Sequence, residues 1–76
     1  MIFLLMIGKF MKFEEALKLL REGKKLTRSI YINRYLYLDM LGDRKYIFDH
    51  HINLNINPSW EPRCEDLLAE DWELYD

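Results

Sequence analysis

The sequence predicts an α+β domain: an antiparallel β-sheet with one main N-terminal helix packed on it and a short helical turn before the last strand. Three patterns carry this prediction. Residues 12–23 repeat apolar side chains at the spacing of a helix, residues 34–49 alternate as strands do around a Gly-Asp turn, and residues 66–75 hold a short apolar turn followed by a final strand.

The helix over residues 12–23 is the clearest element. Its apolar positions follow the spacing of one helical face, and they are Phe13, Ala16, Leu17 and Leu20. Gly23 suits the position that follows a helix C-terminus, whereas Lys12 cannot cap the start as Ser or Asp would. We expect this helix to be scaffold that buries one face on the sheet.

A short strand is predicted where the chain leaves the helix, over residues 24–28. Its Leu26 points inward, and Arg28 lies on the same side, nearer the edge of the sheet. Residues 29–33 then connect this strand to the next one.

A hairpin is predicted by Gly42-Asp43, a turn signal between two alternating runs. Its arms are residues 34–39 and 45–49. In the first arm, one face carries Leu36 and Leu38 and the other carries Tyr35 and Tyr37. We assign the leucines to the helix side and the tyrosines to a partner subunit or a ligand surface.

Residues 51–57 alternate strictly, which predicts a half-buried strand that ends at Pro58. One face would carry Ile52, Leu54 and Ile56, and the other three asparagines. Because Asn is depleted in strands, two interpretations of the polar face stay open. It is either a solvated edge or an amide-lined wall for a polar ligand.

The C-terminal segment predicts a capped turn and a last strand. Asp66 is the expected N-cap of a turn formed by the Leu-Leu-Ala step that follows it. In residues 72–75, Trp72 and Leu74 face one way, and we expect Trp72 in the core. Trp60 lies between two prolines on a loop or a strand end, where a large aromatic side chain is a binding candidate.

The first ten residues begin with an apolar run that is too short to span a bilayer, which needs about 20 residues. The run also lacks the positive region and cleavage site of a signal peptide. Two interpretations stay open: a buried strand from Ile2 to Met6, or an extension in front of a start at Met11. Residues 11–76 are the predicted single domain.

Composition narrows the class of protein. The chain has 76 residues, of which 50% are hydrophobic, and so small an apolar-rich domain is expected to form a dimer or a larger homo-oligomer. The net charge of −2, with mixed signs, argues against nucleic acid as a partner. A single cysteine, Cys64, excludes an intrachain disulfide and fits a reducing cytosol.

Residue chemistry favours a non-enzymatic domain without a cofactor or metal. His50 and His51 are adjacent on a strand and so point to opposite faces, which makes a shared metal ion unfavourable. Cys64 lies between Arg63 and acidic residues, whose effects on a thiol oppose each other. The carboxylates of residues 65–71 are more simply a solvated face than a magnesium site, and no catalytic or phosphate-binding motif is present.

Three stretches together resemble one known family. They are FEEALKLLREGKKLTR from Phe13 to Arg28, RYLYLD from Arg34 to Asp39, and W-x5-DLLAEDWE from Trp60 to Glu73. This pattern is similar to the Thoeris anti-defence 2 family, a small phage-encoded domain formerly of unknown function, and the resemblance covers residues 11–75.

The resemblance implies a sponge protein in the host cytoplasm. Such proteins bind a cyclic nucleotide immune signal of the glycocyclic ADP-ribose type without cleaving it. They assemble as homo-oligomers, typically tetramers, with ligand pockets between protomers, so the resemblance leads us to expect a dimer or tetramer of this chain. It also implies an antiparallel sheet with one main helix.

Four residues match positions that the resemblance implies for ligand binding. Arg28 stands at the family's arginine, where a cation could meet a pyrophosphate. Tyr31 stands where the family has tryptophan, and its ring could stack on a purine. Trp60 matches the loop tryptophan, and Arg63 could supply a further phosphate contact. The alternative function is a protein-binding inhibitor or accessory module on the same fold that uses the tyrosine face and binds no nucleotide.

Overall fold

Two helices and four strands make up residues 10–75, the part of the chain that the computed structural model describes. In chain order they are α1 (Phe13–Arg21), β1 (Leu26–Arg28), β2 (Arg34–Leu41), β3 (Arg44–His51), α2 (Cys64–Leu68) and β4 (Trp72–Leu74). The predicted α+β class is confirmed. The strand predicted from Ile2 to Met6 lies outside the described residues.

The sheet has the strand order β3-β2-β1-β4, with antiparallel neighbours throughout. The predicted hairpin is present, and its arms are longer than expected because pairing runs from Arg34 with His51 to Leu41 with Arg44. Gly42 in the turn adopts a φ of 67°, a conformation that glycine tolerates without steric cost.

Helix α1 buries the predicted face against the sheet. Ala16 and Leu20 are fully buried, and Phe13 and Leu17 pack partly buried beside them. No side chain caps the helix at Lys12, and Gly23 follows the C-terminus with a φ of 89°, as predicted. The buried core cluster consists of Ala16, Leu20, Leu26, Leu36, Trp60 and Trp72. Burial of each large apolar side chain contributes roughly 1.5–3 kcal/mol.

Trp72 is the centre of this core, as predicted, but Leu74, predicted to face the same way, is not buried with it. Trp72 is fully buried and its ring centroid lies 5.5 Å from that of Phe13. Leu74, in contrast, is 47% exposed. On the outer side of β4, the backbone of Met11 exchanges two hydrogen bonds with Trp72. Burial therefore falls along this short strand from its first residue to its last.

The strand predicted over residues 51–57 is wrong. β3 ends at His51, and residues 52–55 form a turn that the His51 N–H closes on the Ile56 carbonyl at 2.9 Å. Asn55 has a φ of 51°, a left-handed conformation that asparagine adopts more readily than other non-glycine residues. Ile52, Leu54 and Ile56 are all exposed. The alternating pattern was misleading because the chain turns at residues 52–55, so its apolar side chains do not line one face of the sheet.

After this turn, residues 56–60 run back alongside β3, and Trp60 packs into the core. The N–H of Asp49 donates to the carbonyl of Pro58, and the N–H of Trp60 donates to the carbonyl of Ile47, both at 2.8 Å. This return places Trp60 edge-on to Trp72, with 5.9 Å between ring centroids.

The sheet face opposite Leu36 carries an aromatic array. Five of its members alternate with the core residues of β2 and β3, and a sixth follows β4; they are Tyr35, Tyr37, Tyr46, Phe48, His50 and Tyr75. All six rings are half-buried and contact one another, the closest pair being Tyr35 and Tyr75 at 4.7 Å between centroids. This array is called the open face below.

Candidate functional site

Arg28, at the end of β1, is held by two carboxylates. Its Nη1 donates to Oδ1 of Asp66 at 2.7 Å, and its Nε donates to Oδ1 of Asp71 at 2.8 Å. The Ser29 hydroxyl donates to the other oxygen of Asp71 at 2.5 Å. Burial alone would lower the pKa of Arg28, but the hydrogen bonds and charges of Asp71 and Asp66 raise it. The Arg28 side chain is only 10% exposed, so it is closed off by its partners.

Asp66 has a different role from the predicted one. Helix α2 starts earlier, at Cys64, with Arg63 as its N-cap residue, so Asp66 is the third residue of the helix and lies within its first turn. Its Oδ2 accepts a hydrogen bond from the Arg63 N–H at 2.9 Å, and its Oδ1 accepts from Arg28 and from the Tyr31 hydroxyl. Burial would raise the pKa of Asp66, but these donors lower it.

The carboxylates of this segment are therefore only partly a solvated face. Asp66 is 6% exposed and Asp71 is half-buried, and both pair with Arg28. Arg28, Asp66, Asp71 and the Tyr31 hydroxyl are called the Arg28 cluster below.

Tyr31 joins this cluster to a second one. Its hydroxyl donates to Asp66 at 2.9 Å, and its ring lies edge-on to Trp72 with 5.7 Å between centroids. Burial and the hydrogen bond to Asp66 raise the pKa of Tyr31 to about 12. On the ring itself, the guanidinium carbon of Arg34 lies 3.9 Å from the centroid, a close cation–π contact.

The second cluster is a bidentate ion pair across the hairpin. Nε of Arg34 donates to Oδ1 of Asp49 at 3.0 Å, and Nη2 donates to Oδ2 at 2.5 Å. Asp49 is 6% exposed, and Nε2 of His51 lies 3.4 Å from its Oδ2. Arg34 and Asp49 are called the Arg34 pair below.

The two histidines diverge, as expected for neighbours on a strand. His51 contacts Asp49, whereas Nδ1 of His50 lies 2.5 Å from the side-chain oxygen of Asn57 and its ring packs on Tyr35. Among residues 10–75, no group of three or more histidine, cysteine or acidic side chains is arranged to hold a metal ion.

A cleft of about 480 Å³ opens beside the Arg34 pair. Its walls come from the β1–β2 connection, the ends of β2 and β3, and the segment from Pro58 to Asp66. Its charged lining residues are Arg34, Asp49, Glu61, Arg63, Glu65 and Asp66. The volume lies within the range of small-molecule sites, roughly 300–1,000 Å³.

Two of the four predicted site residues line this cleft, Tyr31 and Arg63. The other two lie behind it: Arg28 is enclosed by the carboxylates of its cluster, and Trp60 is a core residue that is 8% exposed. Trp60 reaches the core because the return strand beside β3 points its side chain inward.

Sequence reasoning missed Arg34 and Asp49. A signal for them was present, because Arg34 shares the alternation of Leu36 and Asp49 shares that of Ile47, which places opposite charges on the helix side of both hairpin arms. Charged residues at such positions require a partner.

Comparison with known proteins supports the sequence resemblance. The family model of the Thoeris anti-defense 2-like domain matches residues 11–75. No curated protein matches the chain. Within residues 10–75, neither helix is long and apolar enough to cross a membrane.

Proposed function

Because the chain belongs to the Thoeris anti-defense 2-like family, we propose that it is a phage anti-defence protein that sequesters a cyclic nucleotide signal of the glycocyclic ADP-ribose type without cleaving it. The observation that carries this proposal is the cleft of about 480 Å³ beside the stacked Tyr31 and Arg34 side chains. Sequestration requires only affinity, so a site that binds and encloses the signal is sufficient for this function.

The lining of the cleft suits the parts of such a ligand. Arg63 is 81% exposed and its Nη1 lies 3.7 Å from Glu65, a loose contact that leaves its guanidinium available to a phosphate. The carboxylates of Glu61 and Glu65 are acceptors for ribose hydroxyls, as acidic residues are in dinucleotide sites. In this proposal Arg28 and Trp60 support the wall from behind, and Tyr31 and Arg63 face the ligand.

Thermal unfolding with a ligand panel tests the proposal. Glycocyclic ADP-ribose at 100 times its Kd should add about 2.7 kcal/mol of stability. Each kcal/mol raises the Tm of so small a domain by about 4–8 °C. Linear ADP-ribose and canonical cyclic dinucleotides are the matched controls, and chromatography should recover the bound ligand intact. The same Tm with every ligand, or a cleaved product, would contradict the proposal.

We also propose that the open face is covered by a second copy of the chain, giving the expected dimer or tetramer. The face presents half-buried aromatic rings, and the Lys25 ammonium lies over one of them, 4.8 Å from the Tyr35 ring centroid. Aromatic side chains of this kind are enriched in interfaces. Covering them would supply the apolar burial that a small core lacks.

Sedimentation measures this self-association. Tyr37→Lys places a charge within the open face and should convert the oligomer to monomer, whereas Lys45→Glu, exposed on β3 and alternating with the rings, should not. A wild-type chain that stays monomeric at all concentrations would leave the open face available to a host protein. That result would favour the second candidate function, a protein-binding inhibitor.

A further inference from the structure

We propose that Arg34, which neither the sequence motifs nor the family match assigns, is the residue that contacts the anionic phosphate group of the ligand in the cleft. The identity of the ligand rests on the proposed function, but the anion subsite rests on the geometry of the Arg34 pair. Arg28, the arginine that the family motif points to, becomes a structural residue in this assignment.

Burial and hydrogen bonding exclude Arg28 from the cleft of one protomer. Two carboxylates, Asp66 in α2 and Asp71 just before β4, already bind it, and its side chain is 10% exposed. Arg28, like Arg34, uses two of its five N–H donors on carboxylates, but it does not line the cleft, so a phosphate there could reach it only by displacing Asp66 or Asp71. Displacing Asp66 would leave a carboxylate that is 6% exposed without its cation, which is costly.

Arg34 has free donors and a fixed orientation. A guanidinium carries five N–H donors, and Asp49 accepts from Nε and Nη2. The remaining donors belong to a side chain that is 28% exposed and lines the cleft. The Tyr31 ring supports one plane of the guanidinium. Little rotamer freedom is therefore lost when an anion binds.

Because of the charge balance of the cleft, anion recognition depends on the fixed orientation of the Arg34 guanidinium. Its lining carries two arginines and four carboxylates, of which Asp49 and Asp66 are neutralised by Arg34 and Arg28. In the remaining lining Arg63 faces two carboxylates, Glu61 and Glu65, so no positive field draws an anion in and recognition depends on directed hydrogen bonds. A lysine at position 34 would keep the charge and lose the planar fork.

Titration calorimetry on Arg34→Lys tests the assignment. Its matched control is Arg44→Lys, because Arg44 is exposed at the opposite end of the hairpin. Affinity for the nucleotide that stabilises the wild type should fall about tenfold or more in Arg34→Lys and stay unchanged in the control. A thermal melt without ligand verifies that both variants fold. An affinity of Arg34→Lys within twofold of wild type would overturn the assignment while the proposed function stands.

Inorganic pyrophosphate separates the two proposals if no nucleotide binds. In the ¹⁵N-labelled chain, the Arg34 Nε–H signal is identified by its absence from Arg34→Lys. Pyrophosphate should shift this signal in a saturable way and leave the Arg44 signal in place. That result would retain the anion subsite although the proposed function had failed. An unchanged Arg34 signal in that case would overturn the subsite as well.

Discussion

Two arginine–aspartate clusters lie side by side in this domain and differ in what they connect. The Arg28 cluster joins β1 to residues 38 and 43 positions further along the chain, and its arginine is 10% exposed. The Arg34 pair joins neighbouring strands 15 positions apart, and its arginine is 28% exposed. The first cluster ties the C-terminal segment to β1 and keeps its arginine out of the cleft lining, whereas the second places its arginine in that lining.

The difference shows that identity of side chains does not decide the role of an ion pair. Both clusters contain an arginine bound to a nearly buried aspartate. The Arg28 guanidinium has two carboxylate partners and little contact with solvent, so its interactions stabilise the fold. The Arg34 guanidinium has one carboxylate partner and keeps donors at the wall of the cleft.

The largest expected effect is on stability when each aspartate is removed. Asp66→Ala leaves Arg28 buried without its shorter ion pair and frees the Tyr31 hydroxyl, which should cost about 3–5 kcal/mol. Asp49→Ala should cost only about 1–2 kcal/mol, because the more exposed Arg34 can be hydrated. Urea unfolding followed by tryptophan fluorescence measures both values.

The effect on ligand affinity, unlike the effect on stability, should be concentrated in the Arg34 pair. Asp49→Asn removes the charge that orients Arg34, so it should weaken nucleotide binding more than it lowers stability. Equal losses of stability in Asp66→Ala and Asp49→Ala would contradict the division of roles between the Arg28 cluster, which stabilises the fold, and the Arg34 pair, which contacts the ligand.

Acid should weaken the Arg28 cluster. Burial would raise the pKa of Asp66 and of Asp71, but their hydrogen bonds lower both. The donors to Asp66 are Arg63, Arg28 and Tyr31, and the donors to Asp71 are Arg28 and Ser29. A carboxylate with a lowered folded-state pKa stabilises the fold above its unfolded pKa, about 3.9, and that stabilisation is lost as pH falls through the folded value.

Urea midpoints measured from pH 6 downward check this sign. The wild-type midpoint should hold above pH 4 and fall below it. Asp71→Asn, which has no carboxylate to protonate, should start lower and fall less. A variant curve parallel to that of the wild type would remove Asp71 from the acid transition.

The sequence was sufficient for features that depend on nearby residues. The face of α1, the glycines at positions 23 and 42 and the hairpin all follow from local spacing and turn chemistry. Trp72 was placed in the core because it alternates correctly on a short apolar strand.

Features that depend on distant partners were not predictable in the same way. Arg28 meets its carboxylates only after the chain has completed the hairpin and its return. The alternation of residues 51–57 predicts a strand only if another strand pairs with it, and a left-handed Asn55 turns the chain instead. Trp60 is a binding candidate by sequence because it lies between two prolines, and a loop pattern does not indicate which neighbouring residues will bury its side chain.

A smaller effect should follow from Tyr31→Phe, which separates the two clusters at the residue they share. The change removes the hydroxyl that donates to Asp66 and keeps the ring that supports Arg34. We expect a loss of about 1–2 kcal/mol of stability and nearly unchanged ligand affinity. Tyr46→Phe, on the open face, is the matched control.

Alkaline titration gives an independent measure of the same hydroxyl. Its raised pKa, about 12, means that the neutral phenol is favoured in the fold. This contribution is complete below the unfolded value of about 10 and is lost as pH rises through the folded one. Burial also raises the pKa of Tyr37, so ultraviolet absorbance should show more than one late-ionising tyrosine, and the titration at about 12 should disappear in Tyr31→Phe. Its persistence would place the late titration elsewhere.

The smallest effect on stability is expected at Arg63, although it faces the same cleft. Its side chain is 81% exposed and lies 3.7 Å from Glu65, so Arg63→Ala should change the free energy of unfolding by no more than about 0.5 kcal/mol. Nucleotide affinity should nevertheless fall, because an exposed guanidinium at the rim is free to contact a phosphate. Arg21→Ala, exposed at the end of α1, is the control for a lost surface charge. Unchanged affinity in Arg63→Ala would leave Arg34 as the arginine of the cleft that binds the anion.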